Sequence, residues 1–153
     1  MRESDILRGG RRWNPWRYLS RNHPHMKVNC RYPLPGTRAG LLTVHGIYLD
    51  CRLNQAGRRC TLQHEIEHLE RGPVPDHPHF AALEEHIVDV LAARRLIALP
   101  HLFDALLWTK HPIELADELF VDLDTLSTRL EHLTPRERGY INLELARRQP
   151  WNN

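Results

Sequence analysis

Leu62-Gln63-His64-Glu65-Ile66-Glu67-His68-Leu69-Glu70-Arg71-Gly72-Pro73 is the stretch from which the fold can be read. Leu62, Ile66 and Leu69 recur at i, i+4 and i+7, the apolar stripe of an amphipathic helix. The segment closes on a cation, a glycine and a proline, the usual helix stop. A helix is therefore expected over about Arg59 to Arg71. His64 and His68 stand four apart, so their imidazoles lie one above the other on one face and can reach a common ion. Glu65, one step around, can reach a water on that ion, which is the logic of an H-E-x-x-H motif. A pattern this short recurs by chance, so its setting matters. Leu62, Ile66 and Leu69 give the helix an apolar back to bury against a sheet while the histidines face a cleft.

A catalytic zinc site takes three protein ligands and keeps one position open, so a further ligand is expected. A histidine six residues past His68 would serve, but that position is Val74. Glu84-Glu85-His86-Ile87-Val88-Asp89 follows on the next expected helix. Glu85 and Asp89 share a face, one carboxylate for the ion and a second to hold a ligand histidine by its other ring nitrogen. This is the gluzincin pattern E-x-x-x-D. Glu85 is preferred over Glu84, which is turned by about 100° toward Phe80 and Ile87. His77, His79 and His86 are nearby rivals, read as loop and surface residues.

Working outward, Asn14-Pro15 reads as a capped helix start, with Trp16 and Leu19 on one side of a helix to about Asn22. Met26 to Tyr32 alternates as a half-buried strand, and Leu41 to Asp50 is β-prone and broken at His45-Gly46, a hairpin. Gly72 to His79 holds three prolines and reads as a loop. A helix from about Phe80 to Ala98, with Leu83, Ile87 and Leu91 toward the core, is closed by Pro100. Helices follow over Leu102 to Lys110, Pro112 to Phe120, about Leu123 to Leu133 and Pro135 to Arg148, the last opened by the capping box Thr134-Pro135-Arg136-Glu137. The expected class is α+β, zincin-like of gluzincin type, with a small N-terminal sheet of about three strands on the H-E-x-x-H helix and a C-terminal helical bundle.

The 153 residues suit a single domain, residues 1–153, with a basic and mobile arm at 1–13 and C-terminal helices at 112–148. Net charge is +2 but uneven: residues 1–38 hold nine Lys and Arg against two acids. No apolar run reaches the length of a membrane span, and the charged start lacks the apolar core of a signal peptide, so a cytoplasmic protein is expected. Three cysteines without a C-x-x-C suggest reduced, part-buried thiols rather than disulfides or a cysteine zinc site. Eleven histidines are the largest departure from ordinary usage.

From about Asn14 to Leu133 the chain resembles the ImmA/IrrE metallopeptidases, in particular short actinobacterial and actinophage members. The resemblance lies in Asn14-Pro15-Trp16-Arg17-Tyr18-Leu19, Gly46-Ile47-Tyr48-Leu49-Asp50, Arg58 to Gly72, and Glu85-His86-Ile87-Val88-Asp89-Val90-Leu91-Ala92-Ala93-Arg94-Arg95-Leu96-Ile97. Val88, Asp89 and Leu99-Pro100 depart mildly from the common pattern. The resemblance implies His64, His68 and Glu85 as ligands of a zinc ion (Zn2+), Glu65 as general base, and a helix-turn-helix transcriptional repressor as the substrate protein, cut to release phage or mobile-element genes. His45, His79 and Tyr48 are candidates to stabilise the oxyanion, and Leu41 to Asp50 is the expected sheet edge for an extended substrate. The alternative function is a DNA-binding module, or an anti-repressor that binds without cleaving, built on the helix-turn-helix-like run Ile113 to Val121 and Leu126 to Leu130. Phe120 at the turn position that favours glycine, and Asp122 and Asp124 leading the second helix, argue against direct nucleic-acid binding.

Overall fold

Asn54 accepts a hydrogen bond from the Gly57 amide at 2.7 Å and so starts the H-E-x-x-H helix four residues earlier than its periodicity suggests. In this computed structural model, which describes residues 10–149, seven helices and one three-stranded sheet are present. In chain order they are α1 (Pro15–Asn22), β1 (Lys27–Asn29), β2 (Gly40–Thr43), β3 (Gly46–Leu49), α2 (Gln55–Arg71), α3 (Pro78–Leu96), α4 (Leu99–Leu106), α5 (Pro112–Leu119), α6 (Leu123–Glu131) and α7 (Pro135–Arg148). The class is α+β.

The sheet order is β1-β3-β2, with β1 parallel and β2 antiparallel to β3. Gly46 makes the parallel pairing possible, because a Cβ there would meet the Lys27 carbonyl oxygen at 2.6 Å. β1 is shorter than its alternation predicts. The Asn29 side chain accepts from the Arg31 amide at 2.9 Å and bends the chain out of the ladder, leaving Tyr32 60% exposed. One face of the sheet packs Ile47 and Leu49 against Leu62 and Ile66 of α2, with Leu19 and Met26 closing the layer. In α1 the buried pair is Pro15 and Leu19, and Trp16 faces outward.

The apolar side of α3 differs from the expected one: Leu83 and Ile87 are exposed, and Val88, Ala92, Ala93 and Leu96 are buried. Helical geometry gives the reason. Glu85, Val88, Asp89, Ala92 and Leu96 fall within one stripe, so turning the carboxylates toward α2 turns Leu83 and Ile87 away. Pro100 does not end α3 but sits in the first turn of α4, where a proline needs no amide partner. A second apolar core joins Leu96 and Ile97 to Leu102, Leu115, Leu119 and Leu126 of the C-terminal helices. Arg59 of α2 ties the two layers, donating to the carbonyls of Trp13, Leu96, Leu119 and Phe120 at 2.9–3.3 Å.

Of the basic arm, residues 1–9 lie outside the described residues. The remainder is docked: Gly10 accepts from His101, Arg12 lies 4.6 Å above the Phe120 ring, and Trp13 donates to Gln63 at 2.6 Å. Cys30, Cys51 and Cys60 are free, and Cys60 is buried with its thiol pushed up to about 11 by desolvation. No described helix is long and apolar enough to cross a membrane.

Candidate metal centre

Because α2 and α3 pack side by side, the histidine face of one meets the carboxylate face of the other. Glu85 Oε1 lies 3.0 Å from His68 Nε2, Glu85 Oε2 lies 3.2 Å from His64 Nε2, and the two Nε2 atoms are 3.1 Å apart. These are three ligand atoms of His64, His68 and Glu85 within 4.8 Å of one another. Zinc held at bond lengths near 2.05 Å in a tetrahedron sets its ligand atoms about 3.3 Å apart, so the donor set fits such an ion in number, chemistry and spacing.

His64 is oriented from behind. Its Nδ1 pairs with Asp89 Oδ1 at 3.0 Å, which directs Nε2 toward the ligand cluster. Burial disfavours the His64 cation, but the Asp89 hydrogen bond and the charges of Glu65, Asp89 and Glu85 outweigh it and raise the pKa. His68 Nδ1 is buried without a hydrogen-bond partner among the described residues. Glu84 is engaged elsewhere, with its carboxylate on Arg71 at 2.5 and 3.0 Å. The structure therefore brings Glu85, not Glu84, to the histidines.

Glu65 is 7% exposed beside them, and burial pushes its carboxyl pKa up. Gly40 of β2 lies against it. A Cβ at Gly40 would meet Glu65 Oε1 and Thr61 Cγ2 at 2.6 Å, so only a glycine lets the edge strand come this close. The signal in the sequence is the glycine itself, since one opening a β-prone run marks a close backbone approach.

Gln63 and Glu67 are buried on the side of α2 away from the cleft, where Gln63 Nε2 donates to Glu67 at 2.9 Å and Arg95 Nε of α3 lies 3.3 Å from the same carboxylate. The second glutamate of His64-Glu65-Ile66-Glu67-His68 thus holds α2 against α3 rather than facing the ion.

β2 is an edge strand, and its free side borders a cleft of about 930 Å³ that reaches His64, Glu65, His68 and Glu85 and is walled by Leu41, Leu42, Val44 and Val74. His45, His79 and Tyr48 do not line it. Arg38, whose charge reaches Glu65, and His25 do line it. His77 and His79 remain on the loop-to-helix junction, and His86 stacks on His132 at 4.9 Å, away from the three ligands. In the helix-turn-helix-like segment, Phe120 takes the left-handed conformation (φ 55°, ψ 45°) that the turn requires, held by Arg12 on its ring and Arg59 on its carbonyl. Asp122 caps α6 and Asp124 follows in its first turn, so the leading end of that helix is acidic.

No protein-family model matches the chain, and no curated protein or solved structure is significantly similar to it.

Proposed function

We propose that the protein is a zincin-like, zinc-dependent endopeptidase of the cytoplasm. The observation that carries this is the convergence of His64, His68 and Glu85 beside the buried Glu65 carboxylate, at the floor of a cleft bordered by a free strand edge. His64, His68 and Glu85 would hold the zinc ion, which would supply a Lewis acid to polarise a carbonyl and lower the pKa of water toward about 7. Glu65 accepts the proton of the attacking water and returns it to the leaving amine. Asp89 holds the His64 ring in register. β2 offers its unpaired backbone groups to an extended substrate, which the Gly40 approach brings over Glu65.

The substrate we propose, from the ImmA/IrrE resemblance, is a helix-turn-helix transcriptional repressor of the same phage, mobile element or operon, cut at an exposed linker that can be drawn out as a strand. The test incubates zinc-loaded wild type and Glu65→Gln with the repressor encoded nearest the gene, and separately with operator duplex. Defined fragments from the wild type alone support the proposal. Absence of cleavage and of repressor binding, with a salt-dependent shift of the duplex by the protein itself, would replace it with the DNA-binding alternative.

A further inference from the structure

Addition of water to a peptide carbonyl puts a negative charge on the carbonyl oxygen, and the centre described above is already rich in anions. Glu65, Glu85 and Asp89 carry three negative charges, one more than a divalent cation offsets. A further cation beside the reacting carbonyl would offset the charge that develops there. Among the described residues, no lysine or arginine other than Arg38 lines the cleft that reaches the three ligands and Glu65. Its backbone is fixed at the entry to β2. The Arg38 amide donates to the Pro35 carbonyl at 3.4 Å, and Ala39 accepts from the Asp50 amide at 2.8 Å, which carries the ladder with β3 one residue past Gly40. Alternation along an extended chain puts Arg38 on the side of Gly40, the side set against Glu65. The charge of Arg38 accordingly reaches Glu65. The Arg38 side chain is exposed and makes no hydrogen bond or ion pair with a described residue, so its N–H donors are available to a ligand.

We infer that Arg38 is the catalytic residue that holds the developing oxyanion, its guanidinium donating to the carbonyl oxygen of the scissile bond while the peptide lies along β2. The inference rests on the peptidase reading above and fills a role that His45, His79 and Tyr48 leave open, since none of them lines the cleft. The electron balance is that of hydrolysis. The water oxygen bonds to the carbonyl carbon, the C=O π pair moves onto the oxygen beside Arg38, and the water proton goes to Glu65. When that pair returns to carbon the C–N bond breaks, and Glu65 passes the proton to the leaving nitrogen. A guanidinium stays charged at every working pH, whereas an ordinary imidazole titrates near neutrality. Donors aimed at this oxygen gain strength only as its charge develops, so Arg38 acts on kcat rather than on KM.

The test pairs turnover with binding in zinc-loaded wild type, Arg38→Lys, Arg38→Ala and Arg31→Ala, the last removing an exposed cation outside the cleft. With the best peptide from a randomised library, kcat should fall about 10²-fold in Arg38→Ala while KM changes by less than about threefold. Arg38→Lys should recover part of the loss, and Arg31→Ala should match the wild type. A phosphinic peptide places a charged tetrahedral oxygen where the oxyanion would form, and Arg38→Ala should bind it about 10²-fold more weakly than wild type at equal zinc content. The uncleaved peptide should bind Glu65→Gln equally well with and without Arg38. Wild-type kcat and wild-type phosphinic-peptide affinity in Arg38→Ala overturn the inference and leave the peptidase standing, as does a loss carried wholly by KM or one found in His25→Ala instead. Arg38-dependent binding of the phosphinic peptide without cleavage of any peptide keeps the contact and removes the peptidase. Neither cleavage nor phosphinic-peptide binding by the wild type overturns both.

Discussion

Glu84 and Glu85 are neighbours with different partners because a helix turns about 100° per residue. Glu85 faces the two histidines and Glu84 faces Arg71. Zinc analysis of purified variants should therefore find about one ion in the wild type and in Glu84→Ala, and loss of the ion in His68→Ala and Glu85→Ala. The reverse result for the two glutamates would move the third ligand to Glu84. Glu65→Gln keeps shape and polarity but cannot accept a proton, so it should keep zinc and fold while peptide turnover falls by about 10²- to 10⁴-fold. Gly40→Ala probes the same carboxylate from the strand side. The new methyl would sit 2.6 Å from Glu65 Oε1, so the carboxylate must swing away. Turnover should fall at least about tenfold with zinc content unchanged, and an unimpaired variant would show that the approach of β2 is not needed for the chemistry.

The C-terminal helices are joined by charge as well as by apolar packing. Glu137 closes the capping box of α7 with the Thr134 amide and accepts from Arg129 and Arg94. Burial pushes its carboxyl up, but the bonds from Arg129, the Thr134 amide and Arg94 outweigh it and bring the pKa from 4.5 down to about 2. A carboxyl depressed on folding stabilises the fold fully above its unfolded value, near 4.5, and that contribution is lost as pH falls toward 2. Thermal unfolding of the wild type should weaken across that window, and Glu137→Gln should be less stable than wild type at pH 7 and show a flatter response below pH 4.5. Parallel pH curves for the two proteins would show that Glu137 does not couple acid to the junction of α3, α6 and α7. Leu83 and Ile87 illustrate the same scale from the apolar side: their outward position on α3 follows from which stripe the carboxylates occupy.

For the molecule as a whole, the proposed ion joins two helices on either side of the connection 72–77, so its binding to the folded state adds to folding stability. At a free concentration a hundredfold above its dissociation constant, a ligand of the folded state alone adds about 2.7 kcal/mol. For a chain of this size that corresponds to a rise in Tm of about 5–10 °C. Calorimetry with and without chelator should show this rise in the wild type and not in His68→Ala, and an unchanged wild-type Tm would mean the cluster does not bind the ion when folded.

What the amino-acid sequence determined by itself was what caps, turns and the spacing within one helix face carry. The helix holding His64, Glu65 and His68, the shared face of Glu85 and Asp89, the hairpin at Gly46 and the capping box at Thr134 all rest on interactions within about four residues, and the structure contains each of them. Only the tertiary structure decided the rest. It turned α3 so that Leu83 and Ile87 are exposed, buried Glu67 behind the helix on Arg95, docked Trp13 on Gln63, and set Gly40 against Glu65. It also laid α6 beside Thr61 and Asp89. None of these has a local signature, because each joins residues far apart in the chain, and which face of an element is covered depends on the neighbour that arrives rather than on the element's own pattern.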